Sequence, residues 1–101
     1  MDATVPDAEF SPLIHAPIRL RICAMLSKAD GIEFSEIQSR LGVSKSALSK
    51  HLTQLHDAGF VDEESVVRLG RARQWLSLTP SGRQAYESHL AALQDIIGSE
   101  G

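Results

Sequence analysis

The chain has 101 residues, 43% hydrophobic and 23% charged, with a formal net charge of −3, which suits a single packed domain and excludes a second one, a disordered chain or a fibre. No stretch approaches the ~18 consecutive apolar residues of a membrane span, and the start, MDATVPDAEF, carries acids where a secretory leader needs a basic end, so a cytosolic protein without membrane contact is expected. The lone Cys23 cannot close an internal disulfide, and no cysteine pair has zinc spacing.

In chain order, residues 1–10 read as a flexible tail for their polar character. Ser11-Pro12 suits the cap of one helical turn, and Pro17 restarts or continues the helix to about Lys28, since proline is tolerated in a first turn. Ile14, Ile18, Ile22, Met25 and Leu26 recur at steps of three and four and share one face. Asp30-Gly31 ends that helix. Ser35-Glu36-Ile37-Gln38 reads as a capping box opening a short helix, with Ile37 and Leu41 inward and Gly42 as its stop.

Ser44 is a second N-cap after a break of only a few residues, and the helix it opens holds Leu48, Leu52 and Leu55 at i, i+4, i+7 before Gly59. Two capped helices joined by Gly42-Val43-Ser44 form a helix-turn-helix pattern. Beyond Gly59 the strand formers Phe60, Val61, Val66 and Val67, a turn at Leu69-Gly70-Arg71-Ala72, and the segment from Gln74 to Leu78 predict a hairpin. Thr79-Pro80 then caps a last helix reaching about Ile97, with Tyr86, Leu90, Leu93 and Ile97 at the spacing of a packing seam. Residues 98–101 read as a second flexible tail.

Charge is distributed unevenly. Residues 1–39 carry three basic and six acidic side chains, 40–83 carry seven and four, and 84–101 carry three acids and no base. A basic middle between acidic ends suits a protein that grips phosphate with one surface alone. With Leu48, Leu52 and Leu55 turned inward, Ser46, Ala47, Lys50, Thr53 and Gln54 fall on or near the opposite side, with Lys45 at the N-terminal turn. Small side chains let a helix sink into the major groove, lysine reaches guanine or phosphate, and glutamine pairs with adenine. A merely solvated face would more often mix Glu with Lys, and no acid occurs from Lys45 to His56.

In the hairpin, a turn near Gly70-Arg71 sets Arg68 opposite Arg73, a like-charge pair that an anion would relieve. Pairing with Asp62, Glu63 or Glu64 is the alternative. Ser44, Arg68, Arg71 and Arg73 are thus expected to hold the DNA backbone, and Lys45, Ser46, Ala47, Lys50 and Gln54 to meet base edges or adjacent phosphates.

The stretches His15 to Ile22, Phe34 to Leu41, Gly42 to Leu52, Leu55 to Val61 and Leu78 to Arg83, in this order and spacing, resemble the winged-helix regulators of the ArsR-like and MarR-like kind, above all their small single-domain members. The resemblance covers about residues 11–97. It implies a mainly α fold with a small β-hairpin, a winged helix-turn-helix of order α-α-α-β-β-α, dimerising through its terminal helices. The partners expected are double-stranded DNA and a second copy of the chain, with Ile14, Tyr86, Leu90, Leu93 and Ile97 at the dimer interface unless they simply cover their own core. Two recognition helices on a two-fold axis lie ~34 Å apart and would read an inverted repeat with half-sites about 10 bp apart, most simply as a repressor.

Other chemistry finds less support. His15, His51, His56 and His89 have no paired ligand spacing, and no Cys lies between Lys45 and Gln54, so neither a metal nor another cofactor is expected. Cys23, near the apolar side of its helix, reads as a small hydrophobe rather than a redox sensor. There is no nucleophile elbow, phosphate loop or paired-acid motif, so an enzyme is not expected. A small-molecule effector is left open. The rival of another class is a winged helix used only for protein contact.

Overall fold

The computed structural model describes residues 8–98. The elements are α1 (Pro12–His15), α2 (Pro17–Ser27), β1 (Ile32–Glu33), α3 (Phe34–Leu41), α4 (Lys45–Asp57), β2 (Val61–Arg68), β3 (Arg71–Leu78) and α5 (Pro80–Gly98). This is the expected mainly helical order with a hairpin. Of the two expected tails, residues 1–7 and 99–101 lie outside the described residues; Phe10 packs its ring 4.8 Å from those of both His15 and His89.

Local chemistry sets the boundaries. The Ser11 hydroxyl accepts from the Ile14 N–H at 3.2 Å, and Pro12 and Pro17 stand where an N–H would go unused. The Ser44 hydroxyl accepts from the Ala47 N–H at 3.1 Å, and Thr79 does the same for Gly82 at 2.9 Å. Gly42 ends α3 at φ 66°, a left-handed position that glycine takes without steric penalty, and its N–H closes on the Gln38 carbonyl at 2.9 Å. One cap is corrected: α3 begins at Phe34 with Glu33 as N-cap and no side-chain cap bond, so the Ser35 capping box is not used.

A core of Ile14, Ile22, Cys23, Leu26, Ile37, Leu41, Leu48, Leu52, Leu55, Val61, Leu76 and Ile32 joins α1 to α4 with one face of the sheet. Fully burying each large aliphatic side chain contributes roughly 1.5–3 kcal/mol, so the three inward leucines of α4 anchor that helix and leave its opposite side outward.

The sheet has order β1-β3-β2, all antiparallel. Strand β1, unforeseen from sequence, pairs Ile32 with Leu76 and Glu33 with Trp75. The hairpin turns on Leu69-Gly70, both at positive φ (55° and 76°), as two-residue turns of the I′ kind require. This corrects the expected register. Arg68 lies across from Arg71, and Arg73 across from Val66. Leucine at a left-handed position costs roughly 1–2 kcal/mol.

Candidate nucleic-acid interface

Helix α4 presents Ser44, Lys45, Ser46, Ser49, Lys50, Thr53 and Gln54 to solvent, with Ala47 and His51 half-buried on its flank. The outward face anticipated from helical spacing is therefore present, free of acid until Asp57. Neither Lys45 nor Lys50 has a carboxylate partner among the described residues. The Ser44 hydroxyl also lies 3.4 Å from that of Ser46, so both are drawn to the helix start.

Gln54 is less free than its exposure suggests. The Arg19 guanidinium of α2 donates to the Gln54 side-chain oxygen and, at 3.1 Å, to His51 Nδ1, while its Nε donates to the Leu13 carbonyl at 2.6 Å. One arginine thus ties α1 and α2 to the flank of α4. The sequence showed no sign of it, because the partners lie 32 and 35 positions away. The bond from Arg19 occupies one of the two lone pairs on the Gln54 oxygen and fixes the side chain, leaving the second lone pair and the amide N–H groups for another partner. His51 has its pKa lowered by burial, then by the nearby Arg19 and Lys50 charges.

In the hairpin, Arg73 turns back to the body: its guanidinium is 3.5 Å from the Glu33 carboxylate, and both side chains are largely covered. This corrects its expected place on the DNA backbone, and its partner is neither Asp62, Glu63 nor Glu64. The reason is β1, which places Glu33 beside β3. Arg68 and Arg71 stay exposed at the tip, the Arg68 guanidinium 5.9 Å from the centre of the Trp75 ring.

The expected dimer residues separate into two groups. Ile14 is wholly buried in the core and has no surface left for a partner, which corrects its place at an interface. Tyr86 packs against the core and Leu93 is half-buried, whereas Leu90 and Ile97 are 37% and 69% exposed. Helix α5 turns Gly82, His89 and Ala92 inward.

That inward histidine makes a contact that no spacing in the sequence indicates. His89 Nδ1 accepts from the Ser11 N–H at 3.0 Å, so the neutral ring carries its proton on Nε2, which lies 3.2 Å from His15 Nδ1. Burial, then His15, lowers the His89 pKa. The unfolded chain therefore binds this proton at higher pH than the folded one, and stability falls as pH drops from about 6.5 through the depressed folded value. Thermal melts at about pH 7.5 and about pH 5 should show this loss, with His51 adding to it in the same direction. His89→Asn should flatten the dependence.

The remaining candidates are quiet. Cys23 is buried and its thiol is pushed up to about 11 by desolvation, far from the thiolate a redox sensor uses. Among the described residues no cluster of three or more His, Cys, Asp or Glu side chains could hold a metal, and no helix is long and apolar enough to cross a membrane.

Residues 18–97 match the family of winged helix DNA-binding domains. The fold resembles a transcriptional regulator homologue of Pyrococcus horikoshii, with a TM-score of 0.84 and 27% identity, covering 89% of each chain. An uncharacterised protein of Methanocaldococcus jannaschii is 27% identical over 78 residues, 77% of this chain and 85% of that one. A riboflavin kinase of Haloquadratum walsbyi is 37% identical over 67 residues, which are 66% of this chain but only 27% of the kinase.

Proposed function

Because the chain belongs to the family of winged helix DNA-binding domains, we propose that it regulates transcription by binding a specific site on double-stranded DNA as a homodimer, and that it acts as a repressor without enzymatic activity. The observation that carries this reading is the outward side of α4: small, polar and basic, held in place by three buried leucines, and free of acid from Lys45 to His56. Its width and chemistry suit the major groove. Lys45, Ser46, Ala47 and Lys50 meet base edges and neighbouring phosphates, the helix start at Ser44 receives a phosphate, and Arg68 and Arg71 follow the backbone beside the hairpin. Gln54 contributes through its amide N–H groups while its oxygen stays with Arg19.

The homodimer reading is supported by Leu90, Leu93 and Ile97, which leave an apolar strip along the outer side of α5. Two copies joined there present two α4 helices to successive turns of the major groove, ~34 Å apart. Leu93→Glu puts a charge into that strip and is expected to give monomers in sedimentation, with a DNase footprint reduced to one half-site. An unchanged dimer from this variant would remove α5 from the interface.

A further inference from the structure

We infer that Leu69, at the tip of the hairpin, is an apolar wedge that enters the minor groove of duplex DNA and partly unstacks a base step beside the site read by α4. The inference rests on the DNA-binding reading above and adds a deformation of the DNA to it.

Leu69 is 92% exposed, the most exposed of the large hydrophobic side chains described, and Val67 follows at 75%. Nothing in the fold uses them. The turn itself would form more readily with Asn in place of Leu69, because its φ of 55° suits asparagine and strains leucine. A leucine that strains the backbone and leaves its side chain in water stabilises nothing within the chain. Its neighbours indicate what it meets. Arg68 and Arg71 face each other directly across the turn, an arrangement of like charges that weakens a hairpin in water. Neither has a carboxylate partner among the described residues.

An apolar knob between two cations is complementary to a groove with phosphate rims and a floor of stacked bases. Proteins that insert apolar side chains from the minor groove open a base step and kink the duplex in this way. Arginine is likewise favoured in narrow minor grooves. A flat anionic surface such as a lipid headgroup layer fits less well, because Asp62, Glu63 and Glu64 stand exposed along the same hairpin and would be drawn against it. A groove admits the tip alone.

The test compares the full chain with Leu69→Asn on a duplex selected for binding, using end-labelled energy transfer for the bend and 2-aminopurine at the flanking steps for unstacking. The parent should bend the duplex by at least ~20° and brighten 2-aminopurine at one step per half-site. The variant should melt several degrees higher, lose the bend and the brightening, and bind several-fold more weakly with the same salt slope, since both arginines remain. Replacing a flexible TA or CA step at the brightened position by a stiff A-tract should weaken the parent, whereas the variant, which keeps both arginines beside the narrowed groove, should not lose affinity. A straight duplex under the parent, or an unaltered bend under the variant, would overturn the wedge while leaving DNA binding intact. No binding of any duplex by either protein, or Leu69-dependent binding to anionic vesicles instead, would overturn the DNA-binding reading along with it.

Discussion

Gly82→Ala is expected to lose about 3 kcal/mol or more of stability, because the added methyl has nowhere to go. A Cβ at this position would stand 2.0 Å from the Phe60 carbonyl oxygen and 2.8 Å from its carbon, and both are backbone atoms that cannot rotate aside. The same oxygen accepts the Thr79 N–H at 3.0 Å, and the Gly59 carbonyl beside it accepts from the hydroxyls of Thr79 and Ser81. Pushing α5 outward would therefore also break the cap that starts it. At roughly 4–8 °C per kcal/mol for a domain of this size, the melting temperature should fall by more than about 12 °C. Gly98→Ala, in the same helix with nothing within 4 Å of its Cβ, is the control and should change little. Similar melting of both variants would show that α5 does not depend on the close approach at Phe60.

The largest effect on binding is expected from reversing Lys45 and Lys50 together. Both are exposed and without a carboxylate partner among the described residues, so Lys45→Glu with Lys50→Glu should leave the melting temperature nearly unchanged. On duplex DNA the double variant should bind at least ~100-fold more weakly. Each phosphate that a lysine no longer neutralises also lowers the salt slope by about 0.9, so two of them lower it by about 1.8. Anisotropy titrations at several salt concentrations measure both quantities. An unaltered affinity would place the DNA-binding surface elsewhere and favour docking of α4 on a protein partner.

The helices, their caps at Ser11, Ser44 and Thr79, and the inward leucines of α4 were legible in the sequence, because each is a local signal within one or two turns. What escaped was non-local. Strand β1 is only two residues long and exists through pairing with β3, more than forty positions away, and no short-range pattern announces it. Its presence drew Arg73 to Glu33 and removed it from the set of outward arginines. The Arg19 bonds to His51 and Gln54, and the meeting of His15 with His89 across 74 positions, likewise arise only when α2 packs on α4 and α1 on α5. The hairpin register shifted for a different reason: the turn uses Leu69 at positive φ, where leucine is not the residue expected.

In α5 the apolar spacing is legible, and its direction only in part. The helix buries Gly82, His89 and Ala92, small or polar residues that a search for hydrophobic stripes passes over. Tyr86 turns toward the core, while Leu90 and Ile97 face outward. Sequence periodicity identifies a stripe but not which neighbour covers it, and a helix that lays small residues against its own core leaves some of its larger ones exposed.

The most direct measurement is selection of bound sites from a pool of randomised duplexes, run at low and at near-physiological salt with the parent and with the Lys45, Lys50 double variant. The parent should enrich an inverted repeat with half-sites about 10 bp apart at both salt concentrations, and the double variant should enrich nothing. A parent that enriches no sequence, or a double variant that recovers the same repeat, would contradict α4 as the element that reads DNA.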